Sequence, residues 1–161
     1  MSGAVRVQTG DFDAAAEYAA LRAAGGAGAV ALFVGLVRDT GDLAAVQGLY
    51  LEHYPGMTER ALQDIVDEAG RRWSLQAVRV VHRVGTLAPA EQIVLVGVAS
   101  AHRAAAFAAC EFIMDRLKTG APFWKREQGP DGEARWVGQK ATDLDREQRW
   151  HAADGEAPAS R

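Results

Sequence analysis

Cysteine occurs once in the 161 residues, at Cys110, so an intramolecular disulfide is impossible and a cysteine-rich metal site is excluded. A chain with no disulfide fits a reducing compartment. No uninterrupted apolar run approaches the roughly 20 residues that a membrane helix needs. The opening stretch MSGAVRVQTGDFD lacks the charged-then-apolar pattern of a signal peptide. Together these absences predict a cytoplasmic protein with no membrane contact. Excess positive charge is missing too: a net charge of -3 offers no bulk attraction for nucleic acid, so any anion site must be a local cluster of basic residues. There is no Walker loop, and GGAGAV lacks the strand-to-helix context of a dinucleotide fingerprint. A Gly-x-Ser-x-Gly elbow is also absent. His53 and His82 lie in strand patterns without metal-ligand spacing, so neither a metal nor a resident cofactor is expected.

What is there reads as an ordinary globular domain. Hydrophobic residues make up 48% and charged residues 24%, and the length suits one domain with a real core. That domain is expected over residues 1–150, with 151–161 as a frayed tail. Val5 to Val7 predicts a short strand. An Ala-rich helix follows, capped by Asp11 or Asp13 and stopped at Gly25-Gly26. GAVALFVGLVRD predicts a largely buried strand, and DTGDLAA a loop. VQGLYLEHY resumes a strand, and Met57 to Trp73 carries apolar residues at helical spacing. LQAVRVVHRVG and QIVLVGVAS predict two strands joined by the turn-like TLAPAE. A helix then runs from near His102 to Thr119-Gly120, with Gly120 as a plausible C′ glycine. PFWKREQ and ARWVGQ predict a strand pair around GPDGE, and ATDLDREQRW a short helix. The order, roughly βαββαββαββα, indicates a single α+β domain with helices over a largely antiparallel sheet.

Basic and aromatic residues gather at element ends. His102 and Arg103 open a helix, where backbone N–H groups and the dipole favour an anion. The plainer reading has Ser100 capping that helix and both side chains solvated. Lys118 stands in the last turn of the same helix, where a lysine also complements the dipole without any further role. Lys125 alternates with Phe123 and Glu127 on one strand face, and the turn at Gly120-Pro122 folds it back towards Lys118. Two ammonium groups held close depress one pKa, giving a lysine able to act as nucleophile or general base. Arg38 ends a strand beside a glycine-containing loop, a place for a ligand-gripping arginine or an ordinary strand-end charge. Arg103, Phe107, Cys110, Met114 and Lys118 share one helix face, and mid-helix Cys110 reads as quiet core packing. Arg103 and Lys118 are fifteen residues apart, about 22 Å at 1.5 Å per residue. The two ends of one helix therefore cannot grip one small ligand, unless a symmetric dimer pairs the start of one helix with the end of its mate.

FVGLVRD (33–39), LEHYPGM (51–57), HRVG (82–85), AHRAAAF (101–107) and LKTGAPFWKRE (117–127) occur in this order. From about Gly28 to Val137 the chain resembles the large, catalytic subunit of molybdopterin synthase. That resemblance implies an α/β hammerhead fold with an additional antiparallel β-sheet. It implies a sulfur transferase of molybdenum cofactor biosynthesis, converting cyclic pyranopterin monophosphate into dithiolene-bearing molybdopterin. The sulfur donor would be a small ubiquitin-like sulfur-carrier subunit, whose thiocarboxylated C-terminal glycine inserts into a pocket. The assembly would be a homodimer of large subunits with one small subunit at each end, a heterotetramer. Lys118 and Lys125 match the family's catalytic lysines. Phe33, Arg38, His102, Arg103 and Met114 match substrate-binding positions, some completing the neighbouring subunit's site. Lys140 falls where the family tends to place an arginine, which keeps the charge but not a bidentate grip. Sulfur arriving on a partner would leave Cys110 free to be structural. The residues by themselves leave two other classes open: a non-catalytic dimeric module that binds a phosphorylated metabolite, and a subunit that merely docks a ubiquitin-like protein.

Overall fold

The computed structural model describes residues 1–41 and 45–152. Residues 42–44 of the expected loop and 153–161 of the expected tail lie outside the described residues. Twelve elements follow in the order β1 (Ser2–Gln8), α1 (Ala14–Arg22), β2 (Ala29–Leu36), β3 (Gly48–His53), α2 (Met57–Arg72), β4 (Leu75–Arg83), β5 (Gly85–Leu87), β6 (Gln92–Ser100), α3 (Arg103–Gly120), β7 (Phe123–Gln128), β8 (Ala134–Val137) and α4 (Ala141–Ala152). They build a mixed α/β domain on two four-stranded sheets.

The first sheet runs β1-β4-β6-β2, with β1 parallel to β4 and the other pairs antiparallel. Alternate residues of its central strands face opposite sides. Val78, Val80, Val94, Val96 and Val98 meet Leu62, Ile65, Val66 and Ala69 of α2 and Ala106, Ala109, Phe112 and Ile113 of α3. On the other face, Ala77, Val81, Leu95 and Ala99 join Phe12 and Leu21 at and just before α1. Burial on both faces is why QIVLVGVAS carries a nearly continuous apolar run rather than a polar-apolar alternation. Asp13 caps α1, its carboxylate accepting from the N–H groups of Ala15 and Ala16. Asp11 instead accepts from the Phe12 N–H and the Gln92 side chain.

The second sheet runs β5-β3-β7-β8 and is antiparallel throughout. Its own small core consists of Val37, Leu49, Leu51, Val84 and Leu87. The expected hammerhead-like domain with an additional antiparallel sheet is what the chain forms.

Four local expectations need correction. GAVALFVGLVRD is not largely buried: β2 is an edge strand, and Leu32, Phe33 and Leu36 on it are exposed. The stretch between the two long strands is not a plain turn, because Gly85 takes φ 92° and steers the chain out of the first sheet into β5. Ser100 does not cap α3; its hydroxyl donates to the Ser74 carbonyl, and His102 occupies the N-cap without a side-chain bond. Gly120 is the last helical residue and not a left-handed stop, since the chain leaves α3 through an extended Ala121.

Candidate active site

A cavity of about 920 Å³ opens where the end of α3, the start of α4 and the faces of both sheets converge. Lys118 reaches it from the last turn of α3, and Met114 lies one turn earlier on the same face. Phe33 and Arg38 reach it from β2 and the segment just beyond, Lys125 from β7, and Lys140 from the link between β8 and α4. Six of the eight residues singled out in the sequence therefore line one space. The other two, His102 and Arg103, stand exposed at the far end of α3 and do not line it. Along α3, Arg103 and Lys118 are fifteen residues apart, about 22 Å at 1.5 Å per residue.

Local structure explains each placement. The turn between α3 and β7 is pinned to the start of α2: the buried Thr58 hydroxyl donates to the Pro122 carbonyl at 2.9 Å and accepts from the Tyr54 N–H at 3.0 Å. That clamp folds β7 back so that Phe123, Lys125 and Glu127, all on one strand face, look into the cavity with Lys118. Arg38 follows Val37, whose N–H and carbonyl bond Glu91 and Ala90 at 2.9 and 2.8 Å. The Val46 N–H donates to the Asp39 carbonyl at 2.9 Å, closing the foot of the 39–46 loop. Glycine at position 41 leaves room for the Glu127 carboxylate, since a Cβ there would come within 2.2 Å of one of its oxygens and push it aside.

The electrostatics are those of an anion receptor. Lys125 is held below the usual lysine range, first by burial and then by the charges of Lys118, Lys140 and Arg38, while Glu127 pulls the other way. The expected depression of one lysine pKa by its neighbour is thus present, with burial as the larger cause. Cys110 donates to the Val96 carbonyl at 3.6 Å in the core, and burial pushes its thiol up to about 11. It is a packing residue, unsuited to thiolate chemistry.

Several lining residues escaped the sequence reading: His82, Glu127, Gln139, Asp143, Trp124 and Trp136. His82 had a signal, the HRVG stretch, but a histidine inside an apolar strand is usually core. Gln139 and Asp143 come to the rim only because α4 docks on α3, which no local pattern encodes. Trp124 and Trp136 also wall a shallower hollow with Glu52, His53 and Tyr54.

The family model described as MoaE protein matches residues 7–120. The chain belongs to the MoaE family. A molybdopterin synthase catalytic subunit from Ralstonia nicotianae is 57% identical over 97% of this chain and 89% of its own length. One from Vibrio cholerae is 56% identical over 93% of this chain and 99% of its own. A solved structure, the molybdopterin biosynthesis MoaE protein from Burkholderia ambifaria, superposes with a TM-score of 0.79 at 55% identity, covering 94% of this chain and 99% of that one. Within the MoaE match fall Phe33, Arg38, His82, His102, Arg103, Met114 and Lys118; Lys125 and Lys140 lie beyond its end.

Proposed function

We propose that this chain is the catalytic subunit of a molybdopterin synthase, transferring sulfur from a thiocarboxylated protein partner to a pterin phosphate, cyclic pyranopterin monophosphate. The observation that carries the reading is the meeting of Lys118 and Lys125 in one cavity with Arg38, Lys140 and the apolar Phe33 and Met114. At about 920 Å³ the space suits a pterin-sized ligand together with the end of an extended peptide.

The chemistry follows from the residues. The donor is an anionic thiocarboxylate and the acceptor carries a phosphate, so a wall of cations binds both and orients them. In each of two successive transfers, one per carrier, thiocarboxylate sulfur forms a C–S bond to a carbon of the pterin phosphate as the C–O bond on that carbon breaks, the oxygen leaving with a proton or with the phosphate it carries. Water then hydrolyses the intervening thioester link and frees the partner as a carboxylate. Negative charge builds on oxygen as the bonds change. Lys118 and Lys125, fixed beforehand, stabilise it. Lys125, with its proton loosened by burial and neighbours, shuttles the protons these steps require. The sulfur comes from the partner, consistent with an inert Cys110.

The partner is a small ubiquitin-like carrier whose C-terminal glycine enters the cavity. A homodimer of this chain completes the site. Leu32, Phe33 and Leu36 on the edge strand and Phe107 on α3 are exposed apolar residues, and Phe107 lies one turn from Arg103. Covering them with a second copy would bring His102 and Arg103 of one chain to its mate's cavity, where they would hold phosphate. The setting is cytoplasmic; no described helix is long and apolar enough to cross a membrane. Residues 1–150 act as the working domain.

The test is reconstitution with a thiocarboxylated carrier and cyclic pyranopterin monophosphate, assayed for dithiolene product. Lys118→Ala should cut product formation by about 10²-fold or more, the scale of a lost acid-base group, while leaving the pterin phosphate bound. Absence of product under conditions where an authentic synthase works would refute the reading. Unchanged turnover in Lys118→Ala would instead remove Lys118 from the catalytic machinery.

A further inference from the structure

His82, near the end of β4, is 5% exposed and lines the cavity beside Lys118. Two contacts fix its ring. One face lies flat on Phe123, with centroids 3.8 Å apart and planes 18° from parallel. Its Nδ1 stands 2.8 Å from the Arg83 carbonyl oxygen. A carbonyl can only accept, so Nδ1 carries the proton and Nε2 presents a lone pair. No described residue donates to Nε2. Burial pushes the His82 pKa down to about 4; the Arg83 bond opposes this, and the charges of Lys118 and His53 add to the lowering. The ring therefore stays neutral, and its tautomer is set by the backbone.

The cations on the cavity wall, Arg38, Lys118, Lys125 and Lys140, in their charged forms give hydrogen bonds and do not receive them. The acceptors Glu127 and Asp143 line it too, but both are carboxylates and Glu127 acts on Lys125, while the Gln139 amide is turned to the Thr119 carbonyl. What His82 adds is a neutral acceptor held in one orientation. We propose that His82 is a substrate-binding residue whose Nε2 accepts a hydrogen bond from a ring N–H of the pterin phosphate, fixing which edge of the ring meets the lysines. The proposal rests on the function given above. It assigns a specificity role to a neutral acceptor that the cations cannot fill, because a group held to the donor-free side of an imidazole must itself carry a hydrogen.

Two measurements test it. In steady-state assays, His82→Phe keeps the stacking on Phe123 and removes the acceptor; KM for the pterin phosphate should rise about tenfold, the scale of one buried neutral hydrogen bond, with kcat nearly unchanged. His82→Gln places a carbonyl near the Nε2 position and should recover most of that loss. A folded His82→Phe with unaltered KM, or a His82→Gln as impaired as His82→Phe, overturns the assignment. Should the Phe variant fail to fold, nitrogen NMR of the native assembly with labelled histidine still decides. Saturation with pterin phosphate should move the unprotonated Nε2 signal of His82 and leave Nδ1 in place. Shifts at other site resonances with Nε2 unmoved would defeat this inference alone. A spectrum in which nothing moves would defeat the proposed function along with it.

Discussion

Replacing Asp115 by alanine should loosen α4 and, through it, the rim of the cavity. Asp115 lies on α3 and is 6% exposed. Its carboxylate accepts from Arg146 Nε at 2.9 Å, Arg149 Nη2 at 2.9 Å and Trp150 Nε1 at 2.8 Å, all on α4. The Trp150 ring sits edge-on to Trp73 and Phe112, at 5.8 and 5.4 Å between centroids. Just before α4, the Gln139 side chain donates to the Thr119 carbonyl at 3.0 Å, and Lys140 and Asp143 face the cavity. Asp115 therefore holds a helix whose first turn forms part of the site. Both guanidiniums remain nearly half exposed and keep Glu111 as a partner, so each lost pair is worth only about 0.5–1 kcal/mol. The indole N–H loses its acceptor at a cost of about 1 kcal/mol. Alanine returns roughly 0.5 kcal/mol through helix propensity. The net loss is about 2 kcal/mol, or about 4–8 °C in Tm for a domain of this size. Amides of residues 141–152 should exchange about 30-fold faster if α4 opens separately from the rest. The check is thermal unfolding together with hydrogen exchange read by mass spectrometry. A Tm within about a degree of the parent, with α4 exchange unaltered, would refute the clamp. It would leave the Arg116 bridge to Glu68 and Glu147 as what holds the helix.

Other expectations follow from the same geometry. Removing the neighbouring cations should raise the Lys125 pKa in a fixed order, most for Lys118→Ala, less for Lys140→Ala and least for Arg38→Ala; the pH dependence of Lys125 acylation, followed by peptide mapping, reports it, and any other order contradicts the electrostatic account. Stability should fall as pH drops from about 6.5 towards about 4, because the unfolded chain then protonates His82 while the native chain does not. The slope from this group approaches about 1.4 kcal/mol per pH unit, for a total of about 3 kcal/mol, and His82→Gln should flatten that part of a urea-unfolding series. Glu17, whose burial is outweighed by Arg79 and Arg6 so that its carboxyl is held below its usual range, destabilises in the same direction, starting only at the acid end of that window and continuing below it. Gly41→Ala should displace the Glu127 carboxylate, weaken its support of the Lys125 proton, and lower the Lys125 pKa further; an unchanged acylation profile would show that Glu127 stays in place.

Much of this protein was legible before any coordinates. The apolar periods of α2 and the strands β4 and β6 are set by which faces are buried, and that is written residue by residue. The FWKRE stretch alternates along a strand, so Lys125 could be placed on the Phe123 and Glu127 face from the pleat alone. The rise of an α-helix per residue separated His102 and Arg103 from Lys118 without knowledge of their surroundings. Position in a sheet was not legible. β2 looks like an interior strand because its exposed side chains are apolar, and composition alone does not tell an exposed apolar edge from a core. β5 has three residues, too few for any period, and exists only because β3 is there to pair with it. His82 had the look of a core histidine until the structure showed one ring nitrogen tied to the Arg83 carbonyl and the other, among the described residues, without a partner beside a cavity. Local sequence determined the elements, their faces and the paired lysines, since those depend on neighbours a few residues away. Only tertiary packing decided which of those faces meet, because Thr58, Asp115 and Gly85 act on chain segments that no local pattern connects to the site.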